Sequence, residues 1–139
     1  MTGSPLSPIQ TAIYNLLTND NDLMARVQGI YDYTPDNEDY PYVVIGKFNS
    51  DNWDTCTSFG RVVFPIVYIY SDIEGKKEIE DIQNDVIRLM ALTDFPINED
   101  WENVGCMLID EDTRSYRASS SSIMQEGYLL FRLWVQEAL

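Results

Sequence analysis

Gly29-Ile30-Tyr31-Asp32-Tyr33-Thr34-Pro35, an acidic spacer, and then Tyr40-Pro41-Tyr42-Val43-Val44-Ile45-Gly46 form the stretch that decides the fold. Ile30-Tyr31-Asp32 reads as a short apolar strand that stops at Pro35, which has no N–H for a ladder and restricts the residue before it. A new strand starts at Pro41, where no ladder donor is yet required, and Tyr42 to Phe48 supplies the aromatic and β-branched residues that suit a pleated, buried surface.

Upstream, Ser7, Pro8 and Gln10 read as the capping box of a first helix, after a loose tail over residues 1–6. Ile9, Ala12, Ile13, Leu16 and Leu17 give that helix one apolar face. Asn19 to Asp22 ends it, and one of these side chains is expected to cap a short helical turn through Leu23, Met24 and Val27.

Downstream, Asn49 to Gly60 reads as a long polar hairpin connection, and Arg61 to Tyr70 as an apolar strand in which Pro65 favours an edge or a bulge. A second helix follows Gly75, with Ile79, Ile82, Val86, Leu89 and Met90 on one side and Lys76, Lys77, Glu80, Asp81, Asp85 and Arg88 on the other. Burying those five apolar side chains contributes roughly 7 to 15 kcal/mol before entropy is subtracted, so this helix must lie on the sheet. Val104 to Asp112 and Ile123 to Val135 supply the last two strands, with Ser119 to Ser122 in their connection.

The expected fold is α+β: a mainly antiparallel sheet of about four strands with two helices packed on one face, in a single domain over residues 1–139. Val62 to Val67 and Leu129 to Val135 lack the alternation expected when one face meets water. Part of the second face should therefore meet another subunit or a partner, unless the sheet curls strongly on itself.

The Ile-Tyr-Asp segment, the Pro-Tyr-Val-Val-Ile-Gly block and this order of helices and strands resemble the tail terminator, or tail completion and tail-to-head joining, proteins of long-tailed bacteriophages. The resemblance covers nearly the whole chain and involves no catalytic signature. It implies a structural virion protein that acts as a ring of six, caps the tail tube, ends its elongation and receives the head connector or stopper protein. It also implies assembly in the host cytoplasm and a channel through which DNA passes.

Composition sets independent bounds. The net charge of −14, from 23 acidic and 9 basic residues in 139, argues against a protein that grips a phosphate backbone. A channel wall of this sign would let DNA pass without sticking, although solubility alone also explains it. The chain has no histidine, which removes Ser-His-Asp and Cys-His catalysis and His-based zinc sites. It shows no Gly-rich phosphate loop and no calcium-binding loop, so no enzyme activity, cofactor or metal is expected. Cys56 and Cys106 lack a C-x-x-C pattern and fit small side chains in a reducing compartment. The longest apolar stretch, Val62 to Tyr70, is too short to span a bilayer, so no membrane association is expected.

Function is therefore expected to reside in binding. Trp53 and Phe59, in a polar loop, and Tyr116 and Arg117, in the other long connection, are candidates for partner contact; the plainer reading of Trp53 and Phe59 is that they fold back onto the core. Asp110 and Asp112 are candidates to face a DNA channel. The alternatives are a neck component one layer nearer the head, or an acidic DNA mimic that occupies a basic cleft on another protein.

Overall fold

Pro65 divides what reads as one strand into two, and several such breaks shape the sheet. The computed structural model describes residues 3–33, 39–54, 59–72, 76–117 and 123–138. They form one sheet of seven strands: β1 (Gly29–Tyr31), β2 (Tyr42–Ile45), β3 (Ser50–Asn52), β4 (Gly60–Val63), β5 (Ile66–Ser71), β6 (Trp101–Arg117) and β7 (Ile123–Glu137). β7 is the central strand. It runs antiparallel to β6 on one side and to β5 and then β4 on the other, with Tyr68 opposite Tyr128 and Val62 opposite Trp134. β2 pairs with β5 and β3 with β4, both antiparallel, while β1 lies parallel to β2.

This corrects the expectation of about four mainly antiparallel strands carrying two helices: the sheet is mixed, has seven strands and is accompanied by three helices. The difference has local causes. Proline has no ladder donor, and at Pro65 the chain passes from β4 to β5 while its carbonyl still accepts from Phe131 N at 2.9 Å. Residues 46–49 likewise separate β2 from β3, a short strand inside what reads as a polar loop. β6 is far longer than Val104 to Asp112, because register shifts after Asn103 and Leu108 break the period-two pattern by which a strand is recognised.

The helices are α1 (Leu6–Thr18), α2 (Asn21–Arg26) and α3 (Lys77–Ala91). α1 begins before the expected cap: Ser7 lies inside it, and Ile9 N donates to Pro5 O at 2.9 Å. Pro8 then sits in the first turn, where a missing N–H has no intrahelical partner to lose. Asp20 caps α2 as the Asn/Asp run suggests, its Oδ2 accepting from Leu23 N at 3.0 Å. The same oxygen accepts from Arg88 Nη2 at 2.8 Å, tying the α1–α2 turn to α3. The Arg88 guanidinium holds the Asp20 carboxyl below the usual carboxylate range, and the Leu23 amide adds to this against the opposing effect of burial.

All three helices pack over one face. Ile9, Ile13 and Leu17 of α1, Leu23 of α2 and Ile79, Ile82, Val86 and Met90 of α3 are buried against Val43, Ile45, Val63, Val67, Ile69, Leu129, Phe131, Leu133 and Val135. Gly127 of β7 lets α3 approach, since a Cβ there would lie 2.8 Å from Gln83 Nε2 and 3.2 Å from Ile79 Cδ1. Gln83 is buried, and its Nε2 donates to Asp112 O of β6 at 3.1 Å. No helix among the described residues is long and apolar enough to cross a membrane.

Candidate functional site

Side chains alternate across a strand, so the residues between those core positions emerge on the opposite face, which no helix covers. Seven tyrosines run across it in a chain of ring contacts: Tyr33 to Tyr31 at 5.9 Å, Tyr31 to Tyr42 at 6.0 Å, Tyr40 to Tyr42 and Tyr42 to Tyr70 at 5.2 Å, Tyr70 to Tyr68 at 6.5 Å and Tyr68 to Tyr128 at 5.9 Å. Such offset and tilted pairs each add about 0.5–1.5 kcal/mol beyond area burial, so the face is ordered by its own side chains. Burial, then the neighbouring Tyr40 phenol, pushes Tyr42 up to about 12, and burial with Glu126 beside it raises Tyr70 further.

Farther along β7 the face becomes apolar around one cation. The Arg132 guanidinium lies 5.7 Å from the centre of the Phe64 ring and 5.6 Å from that of Trp134. The paired registers bring Val62 beside Trp134, Ile66 beside Leu130 and Met107 beside Arg132 on the same face. Arg132 makes no ion pair among the described residues, whereas Arg26, Arg61, Arg88 and Arg114 each meet a carboxylate. On the adjacent edge strand β6, Val104, Met107, Ile109 and Tyr116 are exposed; Val104 and Ile109 occupy the two register shifts.

The sequence-predicted residues fall in several places. Trp53 folds back: its ring carbon Cε3 would lie 2.8 Å from a Cβ on Gly60, and its N donates to Gly60 O at 2.9 Å. Phe59 beside it is 46% exposed, and its carbonyl accepts from Glu137 N. Tyr116 is 37% exposed at the other end of the β6–β7 hairpin, under the Arg114 guanidinium. The pairing of Gly60 with Gln136 and of Tyr116 with Met124 puts these two groups at opposite ends of β7. Arg117 ends β6, its side chain outside the described residues, as are Cys56 and Ser119 to Ser122. Asp110 and Asp112 are both exposed on the helix-free face, lining with Arg114, Glu126 and Tyr128 a shallow cleft of about 340 Å³.

Arg132, Phe64, Trp134 and the tyrosine chain escape site prediction from sequence. Their trace in the sequence is an arginine inside the apolar run Leu129 to Val135 and tyrosines two apart at 40, 42, 68 and 70. On this face burial raises the Tyr42, Tyr70 and Tyr128 phenols, and on the helix side of β6 burial pushes the half-buried Cys106 thiol up to about 12. Among the described residues no three His, Cys, Asp or Glu side chains are grouped to hold a metal ion. The arrangement, an apolar and aromatic surface with a central guanidinium, is suited to protein binding.

Comparison with known proteins fits this reading. The fold is similar to that of a chain in the virion of a native gene transfer agent particle, at 22% sequence identity with a TM-score of 0.82 over 97% of this chain and 99% of the other. It is also similar to the gp17 protein of bacteriophage SPP1, at 20% identity with a TM-score of 0.60 over 91% and 88% of the two chains. No curated protein sequence matches significantly. The family model for tail completion protein gp17 matches residues 11–122, from α1 to the connection between β6 and β7, and the chain therefore belongs to the tail completion protein gp17 family.

Proposed function

We propose that this protein closes into a ring of six at the end of a phage tail tube, stops tube growth there and presents the surface that receives the head connector. Its role is structural, in tail completion, and its place is the virion. The observation that carries the finer reading is family membership over residues 11–122. The helix-free face supports it, because side chains of this kind on a structural protein call for a neighbour. A contact between unlike surfaces that closes on itself limits growth, where an open one would continue as a filament.

In this reading Phe59 and Tyr116, exposed at opposite ends of β7, serve two different partners, the tube protein on one side and the connector on the other. The large excess of negative charge keeps DNA moving through the channel without specific binding. The test is electron microscopy of particles made by a phage that lacks this protein. Filled heads separate from overlong tails, joined again when purified protein is added, support the reading. Tails of normal length already attached to heads would remove it and favour a different layer of the neck.

A further inference from the structure

From a cation on an apolar sheet face and carboxylates on the neighbouring edge strand, none of which makes an ion pair among the described residues, we infer that Arg132, with Phe64 and Trp134, receives the β6 edge of a second copy of this chain through Asp110 and Asp112. The inference deepens the self-assembly part of the reading above and rests on it.

Three observations converge. First, Val62, Phe64, Ile66, Leu130, Arg132 and Trp134 are half-buried on a face that the helices leave open, and arginine with tryptophan at the centre of an apolar patch is the composition of an interface anchor. Second, Arg132 is aimed at Phe64 and Trp134 and meets no carboxylate among the described residues, in a chain whose acidic residues outnumber the basic ones 23 to 9. Third, Asp110 and Asp112 make no ion pair among the described residues. Both follow the register shift that holds the exposed Ile109, so this strand presents an apolar side chain together with negative charge.

Edge and patch are therefore complementary in both charge and polarity. The partner follows from the same charges. A second copy carries the matching edge, whereas two β6 edges aligned on each other would set Asp110 to Asp112 against like charge. The contact assigns the two aspartates to a seam between subunits, a different place from the channel wall expected of them.

The test uses the full chain in sedimentation velocity and native mass spectrometry, at low and high salt. Wild type should associate, more tightly at low salt. Arg132→Glu, and separately the pair Asp110→Lys with Asp112→Lys, should each weaken association about 30-fold or more, as expected when one partner of a desolvated pair is lost. An equimolar mixture of these two variants should assemble again, because each then offers the other a matched contact. Arg132→Gln provides a milder variant should reversal disturb folding, and far-ultraviolet circular dichroism with a thermal melt checks that fold.

Wild type monomeric at every concentration, reversals without effect, or a mixture that does not recover would each overturn the inference. The outcomes separate it from the proposed function. Association that depends on Arg132 in a protein that leaves tubes uncapped would remove the terminator reading alone, and capping by the Arg132→Glu variant would remove the seam alone.

Discussion

Gly127 offers a sharp test of how α3 sits on the sheet. It lies inside β7, opposite Thr113 on one side and Ile69 on the other, where a strand ordinarily favours a side chain. A methyl group added there would stand 2.8 Å from Gln83 Nε2 and 3.2 Å from two carbons of Ile79. Ile79 is fully buried and has no room to retreat, while Gln83 can swing away only by giving up its bond to Asp112 O.

Overpacking of this kind costs about 1–3 kcal/mol, and removing a strand glycine returns about 0.5–1 kcal/mol. The midpoints of these ranges leave Gly127→Ala destabilised by about 1.3 kcal/mol, and the upper bound by about 2.5 kcal/mol, lowering Tm by roughly 4–10 °C for a chain of this size. Urea denaturation at constant m measures it. Adding Gln83→Ala should recover part of the loss, a coupling of about 0.5 kcal/mol or more between neighbours. A Gly127→Ala protein as stable as wild type, or two substitutions that simply add, would falsify the close approach of α3 to this strand.

Three further outcomes follow from individual groups. Asp20→Ala removes both the α2 cap and the partner of Arg88 and should cost about 1.5–3 kcal/mol by chemical denaturation. Because the folded-state pKa of Asp20 is depressed, its contribution is present above the unfolded value of about 4 and is lost as pH falls through the folded one; Asp20→Asn should flatten that acid-side decline, and an unchanged acid profile would count against the pair. Tyr42 behaves in the opposite sense: its pKa is raised to about 12, so the stability it contributes is complete below about pH 10 and lost as pH rises toward 12. Tyr42→Phe should make the alkaline decline shallower, as followed by phenolate absorbance together with unfolding. In a Cys56→Ser background the Cys106 thiol should react with iodoacetamide slowly in the folded protein and much faster once denaturant is added, and equally fast labelling in both states would contradict its raised thiol pKa.

What the sequence could reveal tracks how regular each element is. α1 and α3 obey the 3.6-residue period, and the residues that period selects, Ile9, Ile13 and Leu17 with Ile79, Ile82, Val86 and Met90, are the ones buried. β6 escapes the same logic, since two register shifts put Val104 and Ile109 out of phase and so hide both its length and its exposed apolar edge. The short helix α2, about a turn and a half set by the Asp20 cap, reads from sequence only as a helical turn because it is too short to show a period.

The helix-free apolar face was legible as a requirement and not as a set of residues. The two-sided runs Val62 to Val67 and Leu129 to Val135 indicated a second apolar surface, yet the meeting of Phe64, Arg132 and Trp134 depends on a cross-strand register that no local pattern encodes. Trp53, singled out because it is a large aromatic in a polar loop, packs on Gly60, whereas Phe59 and Tyr116 are exposed.

The most direct test of tail completion is electron microscopy of headless tail tubes incubated with gold-labelled protein and free tube subunits. Label confined to one end of each tube, with labelled tubes no longer extending, is the predicted result. Unlabelled tubes that keep growing, or label spread along their length, would contradict it.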